Sequence, residues 1–436
     1  MNIEGTGGPD IPFARPFIGK EEEEAVLRVL RSGWLTTGQE TLAFERDFSD
    51  FLQNPADFLQ SSGESSLEIT LININNHNII SKFPEKEPLR CLAVNSATSG
   101  LHLALEACGI GPGDTVLVPS YTFTSTAAVV HYLGAEPVFV DVAPNSFLMD
   151  PLALEKTLDR LSRGLPAYEG RGGFGPGGKP RAIIPVHYGG ASCDMGAIME
   201  IARRYNVKVI EDAAHAFPSC NENGVFAGTL ADAGVFSFYA TKTITTGEGG
   251  MVVTRDRAIA DRIAITRSHG IDRAVWNRYT DRKASWYYEV VEPGFKYNLP
   301  DLLAALGRVQ LKRAWGLLEK RRQIAAQYNA AFTADGRFIL PPDAAGNAWH
   351  LYPLRLNLAN LGFSRDTMIE RLQDRGIGVS VHFIPLHIMP YYRKRYNLFP
   401  EDFPESLSRF KGAISLPIWP GMEQVQVERV IAGVTC

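Results

Sequence analysis

The 436-residue sequence lacks any apolar run of the roughly 18 or more residues that a membrane-spanning helix needs. Its first residues also lack a basic region followed by an apolar stretch, so we expect no secretory signal and no membrane partner. A basic excess is missing as well, because 44 lysines and arginines face 48 aspartates and glutamates, for a net charge of −4. This balance argues against nucleic-acid binding as the main task, since such binding requires cations that neutralise phosphates.

Cysteine is scarce too: five residues are scattered along the chain, with no C-x-x-C pair among them. That pattern favours reduced thiols in the cytoplasm over a disulfide framework or a zinc site, so we expect a cytoplasmic protein without a bound metal. The hydrophobic fraction of 45% and the charged fraction of 21% are ordinary for globular chains and exclude disorder as the dominant state. The length predicts two or three domains.

The first half of the chain alternates between strand-like and helix-like patterns. Short apolar runs rich in β-branched residues, bounded by Gly, Asp or Pro, predict buried strands. These runs are residues 115–119, 137–142, 182–186 and 207–210. Helical patterns separate them at residues 125–133, 151–161 and 195–205. Strand and helix repeated in this way predict an α/β fold with a mostly parallel central sheet flanked by helices.

The pattern changes near residue 270. Residues 299–322 predict one long helix, and beyond it the sequence predicts strands at 350–358 and 378–383 beside a helix at 365–375. We therefore predict a large α/β domain over residues 1–275 and, over residues 276–436, a long helix with a smaller C-terminal α+β domain. Two stretches, near 54–90 and 163–180, have the polar or glycine-rich composition of inserted surface segments.

Residues 209–250 carry the strongest chemical signal. A predicted strand ends in Glu211 and Asp212, at the edge of a parallel sheet where ligands bind. A second apolar strand follows and leads to Lys242. A lysine amine can form a Schiff base with the aldehyde of pyridoxal phosphate, and an aspartate can keep its pyridine nitrogen protonated. Taken singly, the lysine would more often be a solvated side chain and the aspartate a helix cap.

A candidate phosphate site supports the interpretation of Asp212 and Lys242 as residues that bind pyridoxal phosphate. Residues 95–100 (NSATSG) lie between a strand-like run and a helix, where free backbone N–H groups and the helix dipole favour an anion. By itself this segment is also an ordinary helix cap. Ser237 adds a hydroxyl for the same phosphate, and Phe123 offers an aromatic face for the cofactor ring, although alone it would more often be a core residue.

Together these segments resemble the DegT/StrS-type sugar aminotransferases, which are pyridoxal-phosphate enzymes of the aspartate-aminotransferase fold (fold type I). Within the family, the chain is most similar to the enzymes that aminate UDP-4-keto-arabinose. The resemblance runs from Arg15 to about Val434, interrupted by the two inserted stretches. The matching motifs are RSGWLTTG, NSATSGLH, IIPVHYGG, VIEDAAHA, FSFYATKTITTGEGG, PGFKYNLPDLLAA and VHFIPLH.

The resemblance implies a role for each matched residue. Lys242 corresponds to the Schiff-base lysine, Asp212 to the partner of the pyridinium nitrogen, and Asn298 to an asparagine that reaches the phosphate of the neighbouring subunit. The chain would then be a homodimer with shared active sites. The remaining implied cofactor contacts are Ala97, Thr98, Phe123, His215 and Ser237. The implied substrate contacts are Trp34, Thr36, His382 and His387.

The implied activity is transfer of an amino group from L-glutamate to a keto sugar, with pyridoxamine phosphate and 2-oxoglutarate formed on the way. The sugar is expected to be a nucleotide-linked 4-keto sugar used in polysaccharide, lipopolysaccharide or secondary-metabolite synthesis. Two alternatives stay open: a sugar dehydratase of the same fold, or an aminotransferase for a keto sugar or cyclitol without a nucleotide. Dehydratase relatives replace the Schiff-base lysine by histidine, so the presence of Lys242 favours transamination.

Overall fold

Ten strands in the described part of the chain form two sheets. The computed structural model describes residues 10–56, 58, 87–168, 178–221, 224–272, 287–343 and 346–436. Most of the two predicted insertions lies outside these ranges. The strands are β1 Arg90–Val94, β2 Asp114–Pro119, β3 Glu136–Val140, β4 Lys179–Ile183, β5 Lys208–Asp212, β6 Ala233–Ser237, β7 Gly250–Thr254, β8 Phe338–Ile339, β9 Tyr352–Leu356 and β10 Ala413–Leu416.

The larger sheet has the strand order β1-β7-β6-β5-β4-β2-β3. Strands β3, β2, β4, β5 and β6 run parallel, whereas β7 is antiparallel to both of its neighbours. The prediction of a mostly parallel sheet is therefore confirmed. Because the parallel strands end at one edge, the residues that follow them converge there, and the antiparallel β7 begins at the same edge.

Helices cover this sheet and connect its strands. Their capping follows the sequence: Asp150 accepts hydrogen bonds from the first turn of one helix, and Asp194 caps another in the same way. The helices up to residue 266 are Lys20–Ser32, Gln39–Gln53, Ala97–Ala107, Ser125–Tyr132, Pro151–Ser162, Met195–Tyr205 and Arg257–Thr266. Those beyond are Asp301–Lys312, Ala314–Phe332, Leu358–Leu361, Arg365–Asp374, Pro390–Tyr396, Pro404–Gly412 and Gln424–Thr435.

The predicted long helix is two helices that meet at Arg313, and the second continues to Phe332, ten residues past the predicted end at residue 322. Arg313 interrupts them with φ −96° and ψ 4°, outside the helical region. The first of the two helices packs on Lys20–Ser32 and Gln39–Gln53 near the start of the chain. This contact ties the N-terminal segment to the region that follows the large sheet.

The smaller sheet has the order β10-β9-β8 and is antiparallel throughout. The predicted strand at 378–383 is wrong: the segment makes one isolated bridge, between Ser380 and Ser415, and then turns toward a cavity. The core beneath the small sheet also contains Ile11. The proposed division into two domains near residue 275 stays a prediction.

Several other properties of the described residues bear on function. None of the helices in the described ranges is both long and apolar enough to cross a membrane. Within the same ranges, no group of three or more His, Cys, Asp or Glu side chains has an arrangement that could hold a metal ion. The cysteines are all free thiols, and burial raises the pKa of Cys91 well above its usual range.

Candidate active site

The residues that follow several strands of the large sheet enclose a cavity of about 480 Å³. The cavity brings together most of the residues that the sequence identified as chemical. Those are Ala97, Thr98, Phe123, Asp212, His215, Ser237, Lys242 and His382. Ser96, from the predicted phosphate segment 95–100, also lines the cavity. Residues that the sequence did not single out complete the wall, among them Phe13, Thr122, Tyr239, Glu248, His350 and Phe383.

Asp212 lies at the end of β5 with 4% of its surface exposed. Its Oδ2 atom accepts a hydrogen bond of 2.9 Å from the Thr126 hydroxyl, and its Oδ1 atom accepts one of 3.2 Å from the Ala214 N–H. Burial raises the pKa of the Asp212 carboxyl, while these two donors and the charge of Lys242 oppose the rise. The carboxylate is thus fixed in direction and retains acceptor capacity toward the cavity.

Glu211, the preceding residue, points to the opposite side of β5, as alternation along a strand requires. It is fully buried, and Oε1 accepts hydrogen bonds from the N–H groups of Leu230 and Ala231. Oε2 accepts from Gly228 N–H at 2.8 Å and from Nε2 of His187 at 2.9 Å. Both carboxylate oxygens are used by the protein, so Glu211 is structural.

Lys242 follows β6 in a tight turn closed by its N–H, which donates to the Tyr239 carbonyl at 2.9 Å. Burial lowers the pKa of the Lys242 amine to about 8, and the nearby Asp212 carboxylate opposes that shift. An ordinary lysine has a pKa of about 10.4, so the Lys242 amine is neutral far more often near pH 8. A neutral amine can act as a nucleophile or accept a proton.

The helix Ala97–Ala107 begins at the cavity wall. Ser96 caps it, with the Ser99 N–H donating to the Ser96 hydroxyl at 3.1 Å, and Ala97 and Thr98 line the cavity. The first N–H groups of a helix have no intrahelical acceptor and attract anions. A Cβ atom at Gly250 would lie 2.8 Å from the Ala97 nitrogen, so glycine there lets the helix approach the sheet.

Aromatic rings form the opposite part of the wall. Phe123 has 55% of its surface exposed, and its ring centroid lies 5.8 Å from that of Phe383. Phe383 stacks on His215 at 5.6 Å, and His382 stacks on Phe13 at 5.1 Å. An exposed aromatic ring at a cavity suits a planar ligand ring or the apolar face of a sugar.

Three histidines line the cavity, and the pKa of each is shifted down by burial first. The pKa of His382 falls to about 4, and Lys242 adds to that shift; the pKa values of His215 and His350 lie well below the usual range. All three are therefore neutral near pH 7. Two have partners in the chain, since Nδ1 of His215 accepts a bond of 3.4 Å from Gly189 N–H and Nδ1 of His382 lies 3.0 Å from the Ser415 hydroxyl.

Three residues expected at the site lie elsewhere in this chain, in what we call the anchored corner, residues 34–41 with 298–301. The side-chain amide of Asn298 donates to the Thr37 hydroxyl at 2.6 Å, and the Thr36 carbonyl accepts from the Asp301 N–H at 3.2 Å. Trp34 donates from Nε1 to the Thr37 carbonyl at 3.3 Å. None of Trp34, Thr36 or Asn298 lines the cavity of its own chain.

Asp301 holds the anchored corner together. It is 3% exposed, and its Oδ1 atom accepts hydrogen bonds from the N–H groups of Gly38 and Thr41 at 2.7 and 2.9 Å. The Thr41 hydroxyl also donates to Oδ1 at 2.7 Å, and the Glu40 N–H donates to Oδ2 at 3.2 Å. Asp301 therefore satisfies the start of the helix Gln39–Gln53 from a distant part of the chain.

The expectation that His387 contacts substrate is corrected by its surroundings. His387 is fully buried and does not line the cavity. Its Nδ1 atom lies 2.5 Å from the Ser120 hydroxyl, and its Nε2 atom lies 3.1 Å from the Pro400 carbonyl. With both ring nitrogens engaged inside the fold, His387 joins the end of β2 to the C-terminal region.

Sequence reasoning missed several members of the site. Thr126 lies in the first turn of the helix Ser125–Tyr132, and its hydroxyl is 2.9 Å from that of Thr122, which precedes the helix. His350 and Phe13 carried no local signal, because each comes from a distant segment that reaches the cavity through tertiary packing.

Comparisons with known proteins follow the same pattern. The model of the DegT/DnrJ/EryC1/StrS aminotransferase family matches residues 16–80 and 86–435. The chain is 39% identical over 427 residues to the spore coat polysaccharide biosynthesis protein SpsC of Bacillus subtilis, covering 97% of this chain and 96% of SpsC. The expected similarity to the UDP-4-keto-arabinose enzymes is not confirmed by these relatives.

Solved structures agree with the sequence relatives. Spr1654 of Streptococcus pneumoniae, assigned as a sugar aminotransferase and solved in its PMP form, has 28% identity and a TM-score of 0.78, with 98% of each chain covered. Helicobacter pylori PseC, an aminotransferase involved in the biosynthesis of pseudaminic acid, has 27% identity and a TM-score of 0.78, with 98% of each chain covered. The cavity described above thus lies in a fold shared with these proteins.

Proposed function

Since this chain belongs to the DegT/DnrJ/EryC1/StrS aminotransferase family, we propose that it transfers an amino group from L-glutamate to a nucleotide-linked keto sugar. Membership makes the chain a pyridoxal-phosphate-dependent sugar aminotransferase of fold type I. The observation that supports the proposed chemistry best is the presence of Lys242 and Asp212 in one cavity beside a helix N-terminus. The donor, the sugar and its nucleotide are the parts that we propose.

The residues present fit pyridoxal phosphate. The N-terminus at Ala97 and Thr98, with the hydroxyl of Ser237, offers N–H and O–H donors suited to a phosphate. Asp212 retains acceptor capacity for a protonated pyridine nitrogen, and Lys242 supplies an amine for the aldehyde. When bound, pyridoxal phosphate supplies an electron-accepting ring and an aldehyde that carries the amino group between two substrates.

We assign distinct tasks to the chain's own groups. Nζ of Lys242, with its pKa lowered to about 8 by burial, accepts the proton from the α-carbon of the donor and returns a proton during amination of the sugar. The Asp212 carboxylate, oriented by its hydrogen bond from Thr126, would stabilise the protonated pyridine nitrogen of the cofactor. The rings of Phe123 and Phe383 limit access of water. One cavity serves both substrates in turn, so we expect ping-pong kinetics.

The keto-sugar substrate is proposed from the relatives and from the wall. SpsC is named for spore coat polysaccharide biosynthesis, and PseC for the biosynthesis of pseudaminic acid. Exposed Phe123 and half-exposed Tyr239 suit the apolar faces of a deoxy sugar. We place the product in polysaccharide or other amino-sugar synthesis. A cytoplasmic location stays a prediction from the cysteine pattern.

The test begins with the amino donor. Addition of L-glutamate to the purified enzyme should convert the absorbance of the lysine-bound cofactor to that of pyridoxamine phosphate, with 2-oxoglutarate released. L-Alanine and L-aspartate serve as control donors. UDP-, dTDP- and GDP-linked keto sugars are then supplied with glutamate, and products are read by mass. A product that has lost a hydroxyl without gaining an amino group would instead identify a sugar dehydratase.

We also propose that the active unit is a homodimer in which Asn298 reaches the neighbouring site. The position of Asn298 outside the cavity of its own chain is consistent with that role. Co-expression of K242A and N298A chains should recover part of the activity, because one site of each mixed dimer would hold both intact residues. Verified mixed dimers with no recovery would contradict the shared site, as would a fully active monomer in sedimentation.

A further inference from the structure

His350 is a cavity residue for which the proposed chemistry so far has no task. It follows Trp349 in a loop before β9, far along the chain from Lys242, yet its ring lines the same cavity. The side chain is 95% buried, and its Nδ1 atom is enclosed without a hydrogen-bond partner in the described part of the chain. Buried polar groups without a partner are rare because they forfeit their bonds to water.

Several hydrogen bonds fix the backbone that carries this imidazole. Nη1 of the buried Arg321 donates to the carbonyls of Trp349 and His350, at 3.3 Å each, and to the Ile418 carbonyl at 2.6 Å. Trp349 has a φ of 47°, in the left-handed region that few residues other than glycine adopt. The Trp349 N–H donates to Oδ1 of Asn347 at 2.8 Å. The loop is thus held at a strained residue directly before His350.

The loop that carries His350 packs against Gly189 and Gly190. The Gly190 carbonyl accepts from the Ala348 N–H, and the Gly189 carbonyl accepts from the Leu351 N–H, both at 3.0 Å. A Cβ atom at Gly190 would lie 2.6 Å from the Trp349 nitrogen and 3.0 Å from that of His350. The close approach of the two backbones therefore places the His350 ring in the cavity wall.

The His350 ring is neutral, so it can bind two ligands with different hydrogen-bonding needs. Burial lowers the pKa of His350 well below its usual range, and the neighbouring His215, whose ring centroid is 4.4 Å away, adds to this shift together with Lys242. A neutral imidazole has one N–H donor and one acceptor. Because either ring nitrogen can carry the proton, a nitrogen that faces a ligand donates in one tautomer and accepts in the other.

The proposed reaction places opposite demands on one cavity. The amino donor carries two carboxylates, which need hydrogen-bond donors, whereas a keto sugar carries hydroxyls, which can be held by an acceptor. No arginine lines the cavity within the described ranges, so a carboxylate there cannot be held by a guanidinium of this part of the chain. A neutral histidine can serve both ligands in turn.

We propose that His350 is a substrate-binding residue for both half-reactions, donating a hydrogen bond to a carboxylate of the amino donor and accepting one from a hydroxyl of the sugar. This inference rests on the proposed function, since it takes glutamate and a keto sugar as the two ligands. It assigns the third cavity histidine a role separate from those expected of His215 beside the cofactor and His382 on the substrate side.

The experiment measures binding of glutarate, an unreactive dicarboxylate, to the holoenzyme by calorimetry. The variants are H350F, which keeps a ring but removes both nitrogens, and H350N, which keeps a donor and an acceptor. The matched control is H102F, because His102 is equally buried, lies outside the cavity and bonds Tyr297 at 3.3 Å. H350F should weaken glutarate binding about tenfold, H350N less, and H102F not at all.

Kinetics supply the second measurement. For H350F the KM values for glutamate and for the keto sugar should both rise, while the absorbance of bound cofactor and the melting temperature stay close to those of H102F. Glutarate affinity and both KM values unchanged in H350F would overturn the inference. A wild-type enzyme that responds to neither glutamate nor glutarate would instead overturn the proposed donor, and with it the carboxylate contact.

Discussion

The cavity and the anchored corner are both rich in polar side chains, but they differ in how many of those groups the protein satisfies by itself. Among the residues that the structure describes, Asp301 accepts four hydrogen bonds, whereas Asp212 accepts two and Nδ1 of His350 has no partner. The saturated Asp301 stabilises structure, whereas Asp212 and His350 have spare capacity and line the cavity. For the two aspartates, hydrogen-bond satisfaction therefore separates the two kinds of site where residue type alone does not.

The largest expected effect is on the cavity side. Replacement of Lys242 by alanine should abolish turnover while leaving the denaturation midpoint near that of the native enzyme, because the removed amine supports chemistry and lies at the cavity wall. Activity assay and thermal melting are the measurements. Borohydride reduction of the native enzyme should attach the cofactor to the peptide that contains Lys242. Attachment to another lysine would show that Lys242 is not the residue that binds the cofactor, and the contrast between the cavity and the anchored corner would lose its main support.

Asp212→Asn is the next test, because it changes charge while nearly preserving shape. We expect turnover to fall by roughly two to four orders of magnitude with modest loss of cofactor, since a neutral amide cannot hold a protonated ring nitrogen. The kinetic assay is paired with the cofactor content measured by absorbance. Thr126→Val, which removes one donor to Asp212, should show a smaller loss in the same direction. A rate near that of the native enzyme for Asp212→Asn would make Asp212 a structural cap.

Asp301→Ala should affect the anchored corner through stability. It leaves three N–H groups without their buried acceptor and removes one of two acceptors of the Thr41 hydroxyl, which keeps the Leu299 carbonyl at 3.2 Å, so we expect a loss of about 2–4 kcal/mol in the free energy of unfolding. Urea denaturation provides the measurement. Glu24→Ala is the control, because Glu24 is exposed and forms one surface ion pair with Lys20. Equal urea midpoints for the two variants would show that the hydrogen bonds accepted by Asp301 do not stabilise the fold more than an exposed ion pair does.

The smallest expected effect concerns pH. With the pKa of Lys242 lowered to about 8, its neutral fraction rises from about 9% at pH 7 to about 91% at pH 9. The rate at which the apoenzyme captures pyridoxal phosphate should therefore rise about tenfold over this range and then level off. Because the Asp212 charge opposes the shift, Asp212→Asn should move the midpoint lower. Stopped-flow absorbance measures both; a rate still rising steeply above pH 10 would indicate an ordinary lysine.

Much of the fold could be predicted because its signals are local. Most parallel strands contain a short apolar run, as burial on both faces requires, although β4 has the polar residues Lys179 and Arg181 near its start. The predicted bounds differ from those observed by a few residues. The segment 378–383 resembles a strand in the sequence because its apolar residues alternate, but they serve other purposes: Phe383 lines the cavity, and Val379 packs against the core beneath the small sheet. The break at Arg313 has no proline or glycine to announce it.

The site divides in the same way. The positions of Asp212 and Lys242 at one edge of the large sheet could be predicted, because Asp212 ends β5 and Lys242 follows β6, and the topology fixes that edge. His350 could not, since its position depends on Arg321 and on a glycine pair that no local pattern relates to it. His387 was misplaced because sequence resemblance conveys proximity to a motif and says nothing about which side chains the fold encloses.

The absence of a side chain at Gly250 serves the anion site, because it lets the helix that begins at Ala97 lie close to β7. Gly250 lies in β7, between the edge strand β1 and β6, in a strand that glycine weakens and where β-branched residues are favoured. Any side chain there would displace the helix start at Ala97. A selection experiment for heat resistance should therefore find stabilising substitutions in the neighbouring strands but not at Gly250. A Cβ atom there would lie 2.8 Å from backbone atoms of Ser96, Ala97 and Phe236, so the strand cannot gain stability at this position while the anion site is kept.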